Sequence, residues 1–158
     1  MSSAEEFVLD LEALRAGFRD FVPHNRALNL RLDDAGLEPA FALMRLPYDA
    51  RLAGHEETGI LHGGVITTLM DAACGVSVFL KLRTHTPIAT LDLRLDHLKP
   101  ATVGRDVLAR AECFRTTRNV AFVRALAFHD SPDDPLAAAA GTFMLSTPGR
   151  SVSEAHRA

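Results

Sequence analysis

One carboxylate, Asp71, stands in the middle of the most apolar stretch of the chain, residues 61–82, which read LHGGVITTLMDAACGVSVFLKL. At the start of the same stretch two adjacent glycines, Gly63 and Gly64, follow His62. If the stretch is a helix, the glycines leave its first-turn amides open to a ligand, and the macrodipole favours negative charge there. Such an end can polarise a carbonyl and stabilise an oxyanion. A carboxylate opposite it would act as nucleophile or general base. The plainer alternatives are that the glycines permit close helix packing and that Asp71 is a core carboxylate bonded to a neighbouring strand.

Asp71 lies nine positions after His62, about half a revolution and roughly 13 Å along a helix axis. One chain therefore cannot aim both at one reacting atom. A site built from both requires a second subunit across a two-fold axis. On the face of Asp71, Thr67, Thr68, Cys74 and Gly75 form a thin stripe of small and polar residues along which a ligand could lie.

The elements that must hold these residues follow from periodicity. The stretch 61–82 is apolar nearly all round, which predicts a buried helix in which an unpaired Asp71 would be costly. Ser2 or Ser3 with Glu5 or Glu6 forms a capping box, and Phe7, Leu11, Leu14, Phe18 and Phe21 predict an amphipathic helix ending near Pro23. Residues 27–32 and 37–46 read as a hairpin turning at Asp33, Asp34 and Gly36. Residues 48–59 form a polar loop into the central helix. After that helix, 88–98 alternates, with Leu91, Leu93 and Leu95 on one face and Thr90, Asp92, Arg94 and Asp96 on the other. Strands are expected at 105–114, 120–129 and 136–146, in antiparallel succession with 88–98. The fold class implied is α+β, an antiparallel sheet curled around one long helix. Residues 1–147 read as a single domain, with a disordered tail at 148–158.

The composition suits that plan: 158 residues, 47% hydrophobic and 23% charged, are enough for one core. A formal net charge of −3 supplies no bulk attraction to nucleic acid or anionic membrane, and neither is expected as a partner. Cys74 and Cys113 read as buried thiols of a reducing, cytoplasmic compartment. The acidic Glu5, Glu6 and Asp10 do not resemble an export signal, and Asp71, Lys81 and Arg83 argue against a membrane span. The seven histidines show no paired metal-ligand spacing, so no metal is expected, and the glycine pair lacks the Lys-Ser/Thr of a P-loop.

His62-Gly63-Gly64, six residues and then Asp71, with Leu69 and Ala73 around it, resembles the signature of the hotdog-fold thioesterases, specifically the phenylacetyl-CoA thioesterase (PaaI-like) group. Thr90-Leu91-Asp92-Leu93, Leu98-Lys99-Pro100-Ala101 with Gly104, and Ala140-Gly141-Thr142-Phe143 resemble later strands of that family. The resemblance spans about residues 28–145. It implies a hotdog fold, assembly as a homodimer and beyond it a homotetramer, and hydrolysis of acyl-CoA thioesters without a cofactor, CoA entering as part of the substrate. By the same resemblance Asp71 attacks or activates water, the Gly63 amide of the other subunit polarises the carbonyl, His62 orients the thioester, and Thr90 holds the attacking water. Gly64 then borders the substrate.

The family usually carries Asn or Gln six positions before the HGG histidine, where this chain has Glu56. An ionised Glu56 only accepts hydrogen bonds, whereas a protonated one donates. That departure keeps open a non-catalytic acyl-CoA-binding or scaffolding hotdog protein. A hydratase fits less well, because it needs a different His and acid arrangement. Lys99, Arg115 and Arg118 are the candidates for holding the CoA phosphates collectively. The acyl group, aromatic or medium-chain, is left open by the sequence.

Overall fold

The computed structural model describes residues 10–84 and 86–145. Two helices come first, α1 (Leu11–Phe21) and α2 (Pro23–Ala27), followed by strands β1 (Arg31–Leu37) and β2 (Ala40–Leu46). A 3₁₀ turn (Ala50–Leu52) precedes the long helix α3 (Gly63–Leu82), and β3 (Ile88–His97), β4 (Val107–Thr116), β5 (Val120–Phe128) and β6 (Ala137–Leu145) complete the chain. The six strands form one antiparallel sheet in the order β1-β2-β4-β5-β6-β3.

Helix α3 contacts all six strands, which a flat sheet would not permit. Along β2, Ala40, Ala42, Met44 and Leu46 alternate inward, and Ala109, Ala111, Ala121, Ala125, Ala127 and Ala137 line much of the rest of the inner face. These short side chains let the helix lie close to the sheet. From α3 itself Ile66, Leu69, Met70, Val76, Val78 and Leu80 are buried, each contributing about 1.5–3 kcal/mol of hydrophobic stabilisation. The helix is long and apolar enough to cross a membrane by length and composition, yet half of it is buried against this sheet.

Several boundaries differ from the sequence expectations. Helix α1 starts at Leu11, with the Asp10 side chain accepting the Ala13 N–H, and the capping box and Phe7 lie outside the described residues. Pro23 opens α2 instead of only ending α1, as suits a residue without an N–H at a first helical position. The first strand runs through Asp33, Asp34 and Gly36, with a bulge between Leu32 and Asp34, and the hairpin turns at Glu38–Pro39. The strand β3 does not adjoin β4. It crosses to the far edge beside β6, and β4 takes its other neighbour from β2. Ser146 and the segment 148–158 lie outside the described residues.

Candidate active site

The loop that leads into α3 is pinned at both ends. Tyr48 donates its N–H to Asp106 Oδ1 (2.9 Å) and its hydroxyl to the Gly59 carbonyl (2.8 Å). The Tyr48 N–H, and after it the Arg45 guanidinium, hold the Asp106 carboxyl below the usual carboxylate range. Closer to the helix, Gly54 N–H bonds Ile60 O, and His62 N–H bonds Leu52 O. Against expectation Leu61 and His62 precede the helix, and His62 is its N-cap.

That cap decides which amides remain open. His62 Nδ1 accepts the Gly64 N–H at 2.9 Å, so Nδ1 is unprotonated and the ring proton sits on Nε2. The His62 carbonyl takes the Val65 N–H at 3.0 Å. Among the described residues the Gly63 amide has no acceptor, which makes it the first-turn donor left for a ligand. The Gly64 amide, expected beside the substrate, is already used by that cap.

Asp71 lies on the half-open side of α3, not in the core, which removes the desolvation cost expected for a buried carboxylate. Thr67 and Thr68 share this side and return their hydroxyls to the Gly63 and Gly64 carbonyls. Cys74, by contrast, is fully buried; desolvation and then the Asp71 charge push its thiol well above the usual range, and burial pushes Cys113 up to about 11. Both are inert free thiols.

Thr90 donates its hydroxyl to Asp71 Oδ1 at 2.9 Å. The alternation expected along β3 would have pointed Thr90 the other way, with Asp92. A bulge between Thr90 and Asp92 resets the strand, leaves Leu91 half exposed and turns Thr90 toward the helix. The bulge is accommodated on β6 by Gly141: a Cβ there would lie 2.5 Å from the Asp92 carbonyl oxygen. Asp71 is thus both hydrogen-bonded to a neighbouring strand and reachable from solvent.

The remaining candidates are not gathered into one place within a chain. Glu56 sits on the exposed turn 54–58 and makes no hydrogen bond or ion pair with the described residues. Lys99 is paired with Asp134 at the end of the sheet where β3 finishes. Arg115 and Arg118 are exposed at the other end, where β4 turns into β5, about 30 Å away along the strands. The collective phosphate site expected of these three therefore does not exist within one chain. Among the described residues no group of three or more His, Cys, Asp and Glu is placed to hold a metal ion.

Sequence reasoning missed His97. It ends β3, and its Cε1 and Nε2 lie 3.4 and 3.5 Å from where a Cβ on Gly63 would be. No periodicity connects two residues that far apart in the chain. Gly141 was legible only as part of a family-like strand, without its role.

Comparison with known proteins bears on this arrangement. A model of the thioesterase superfamily matches residues 58–135. The chain is 33% identical over 137 residues to the medium/long-chain acyl-CoA thioesterase YigI of Salmonella typhimurium, a match covering 78% of this chain and 86% of that one. A crystal structure of a Pseudomonas aeruginosa protein is 41% identical, with a TM-score of 0.75 over 85% of this chain and 97% of that one. The phenylacetic acid degradation protein PaaI of Thermus thermophilus, in a mutant form, shares the fold at 24% identity, with a TM-score of 0.67 over 78% of this chain and 98% of that one.

Proposed function

The chain belongs to the thioesterase superfamily and is a hotdog-fold thioester hydrolase, and from that premise we propose that it cleaves medium- or longer-chain acyl-CoA in a homodimer. The observation that carries this reading is the pairing of Asp71 with Thr90 on the accessible side of a helix whose own start keeps one free amide, at Gly63. The two lie eight residues apart, about 12 Å along the axis, so each site takes Gly63 from one subunit and Asp71 with Thr90 from the other.

The steps follow from these groups. The Gly63 N–H hydrogen-bonds the thioester carbonyl oxygen, and the helix end favours the charge that develops there. Asp71, oriented through Oδ1 by Thr90, takes a proton from water through its other oxygen as that water attacks the carbonyl carbon. The tetrahedral oxyanion collapses, the C–S bond breaks, and the CoA thiolate leaves, recovering a proton from Asp71. Attack by Asp71 itself would give an anhydride hydrolysed in a second step. The relative's medium/long-chain substrates favour an aliphatic acyl group over an aromatic one for this chain. Activity in the cytoplasm follows the same proposal, since acyl-CoA is the substrate and the cysteines are free.

Release of free CoA from straight-chain and aryl acyl-CoA esters tests this, with Asp71→Asn beside the native protein. The native protein is expected to prefer the longer straight-chain esters, and Asp71→Asn to lose at least about 1000-fold in kcat while remaining a dimer. Single turnover in ¹⁸O-water tests the nucleophilic role, because label in the Asp71 carboxylate requires an anhydride opened at its aspartyl carbonyl, which general-base catalysis never forms. Native protein that binds these esters without releasing CoA would overturn the reading in favour of a binding protein, with Glu56→Asn the first reversion to try.

A further inference from the structure

Among the described residues, the start of α3 leaves a single backbone donor, the Gly63 amide, for an oxyanion. Gly64 N–H is taken by His62 Nδ1, and Val65 N–H by the His62 carbonyl. An oxyanion has room for more than one donor, and each preorganised donor matters most where charge develops. His62 is poorly placed to be the second. Its ring is turned back to cap its own helix and packs beside Gly54, whose Cβ position lies 3.6 Å from Cδ2.

His97 has no such commitment. It reaches the same helix end from the last residue of β3, and neither of its ring nitrogens has a hydrogen-bond partner among the described residues. Its Nε2 lies 3.5 Å from the Cβ position of Gly63. Standard bond lengths then place Nε2 within about 6 Å of the Gly63 nitrogen. A carbonyl oxygen held about 2.9 Å from that amide can lie within hydrogen-bond distance of both.

We infer that His97 is a further catalytic residue, donating its Nε2–H to the thioester oxygen alongside the Gly63 amide of the same subunit. A neutral imidazole carries one N–H and an imidazolium two, so the contact does not require a charged ring. The inference rests on the thioesterase reading above and adds a second donor to it. Gly63 and His97 come from one chain, and Asp71 with Thr90 from the other.

The first test is the kinetics of an acyl-CoA that the native protein hydrolyses. His97→Phe keeps a planar ring and removes both nitrogens; it is expected to lower kcat about 100-fold with KM within about threefold of native. His97→Gln restores an N–H and is expected to stay within about tenfold. A kcat for His97→Phe within twofold of native, or equal losses in the two variants, would overturn the inference. The second test uses the native protein with a carba-dethia acyl-CoA, in which a methylene replaces sulfur, so that the carbonyl is kept and nothing is cleaved. The His97 ring ¹⁵N resonance is expected to shift at saturation, and an unmoved resonance in protein that has bound the analogue refutes the contact. An Asp71→Asn protein that still turns over would sink the proposed mechanism while leaving the His97 measurements to stand. Loss of turnover in Asp71→Asn with full activity in His97→Phe would sink this inference alone.

Discussion

Replacing Gly141 by Ala adds one methyl group, and the structure says where it goes. The new Cβ would lie 2.5 Å from the Asp92 carbonyl oxygen, 2.8 Å from Leu93 Cδ1 and 3.2 Å from Leu93 Cα. The leucine methyl can rotate away, but the carbonyl belongs to the backbone of the bulge. Ordinary van der Waals contact needs about 3.4 Å, so β3 must retreat by roughly 0.9 Å at this point, an overpacking that costs about 1–3 kcal/mol. For a domain of this length that is a fall in Tm of about 2–4 °C for each kcal/mol. The functional consequence is separate. Thr90 lies on the other side of the bulge, and its hydroxyl is 2.9 Å from Asp71 Oδ1. A shift of that size directed away from the helix takes the pair beyond hydrogen-bond distance. Gly141→Ala is therefore expected to lose about tenfold in kcat, some 1.4 kcal/mol, with KM little changed. Thermal denaturation and CoA-release kinetics on the same preparation read both effects. A variant with native Tm and kcat within twofold of native would show that the bulge yields without moving Thr90, and would refute the reasoning.

Thr90→Val keeps the branched shape that suits a strand and removes the hydroxyl; kcat should drop about 10–100-fold and Thr90→Ser should recover most of it, as steady-state kinetics would show. The two residues act as one unit, so Asp71→Asn with Thr90→Val should lose little more activity than Asp71→Asn alone in a double-mutant cycle. Tyr48→Phe removes the hydroxyl bond to the Gly59 carbonyl and should cost about 1 kcal/mol in denaturant unfolding, with some loss of turnover because the same loop delivers His62. Asp106 has its pKa depressed in the fold, so its contribution is present above the unfolded value near 4 and is lost as pH falls through the folded value. Asp106→Asn should therefore lower stability by about 1 kcal/mol or less at pH 7, given a carboxylate that is 41% exposed, and the difference from native should vanish on acidification below about pH 4 in thermal melts.

Much of this protein is written in local pattern. The apolar run 61–82 is a core helix because few of its faces can be left in water, and alternation along β2, β4 and β5 places alanines and valines against it. The spacing from Gly63 to Asp71 already excludes a site within one chain, since helix rise is a constant. Other features depend on pairings that no local period encodes. Alternation alone put Thr90 on the wrong face, because the bulge that turns it to Asp71 depends on the register of β3 against Gly141 in β6. The edge position of β3 depends on strand order, and hydrophobic pattern is blind to which neighbour a strand selects. His97 meets Gly63 only because β3 runs back along the helix to its start. Sequence determined the helix, the strands and the acid; tertiary structure decided what stands beside the acid and beside the open amide, because those contacts join residues distant in the chain.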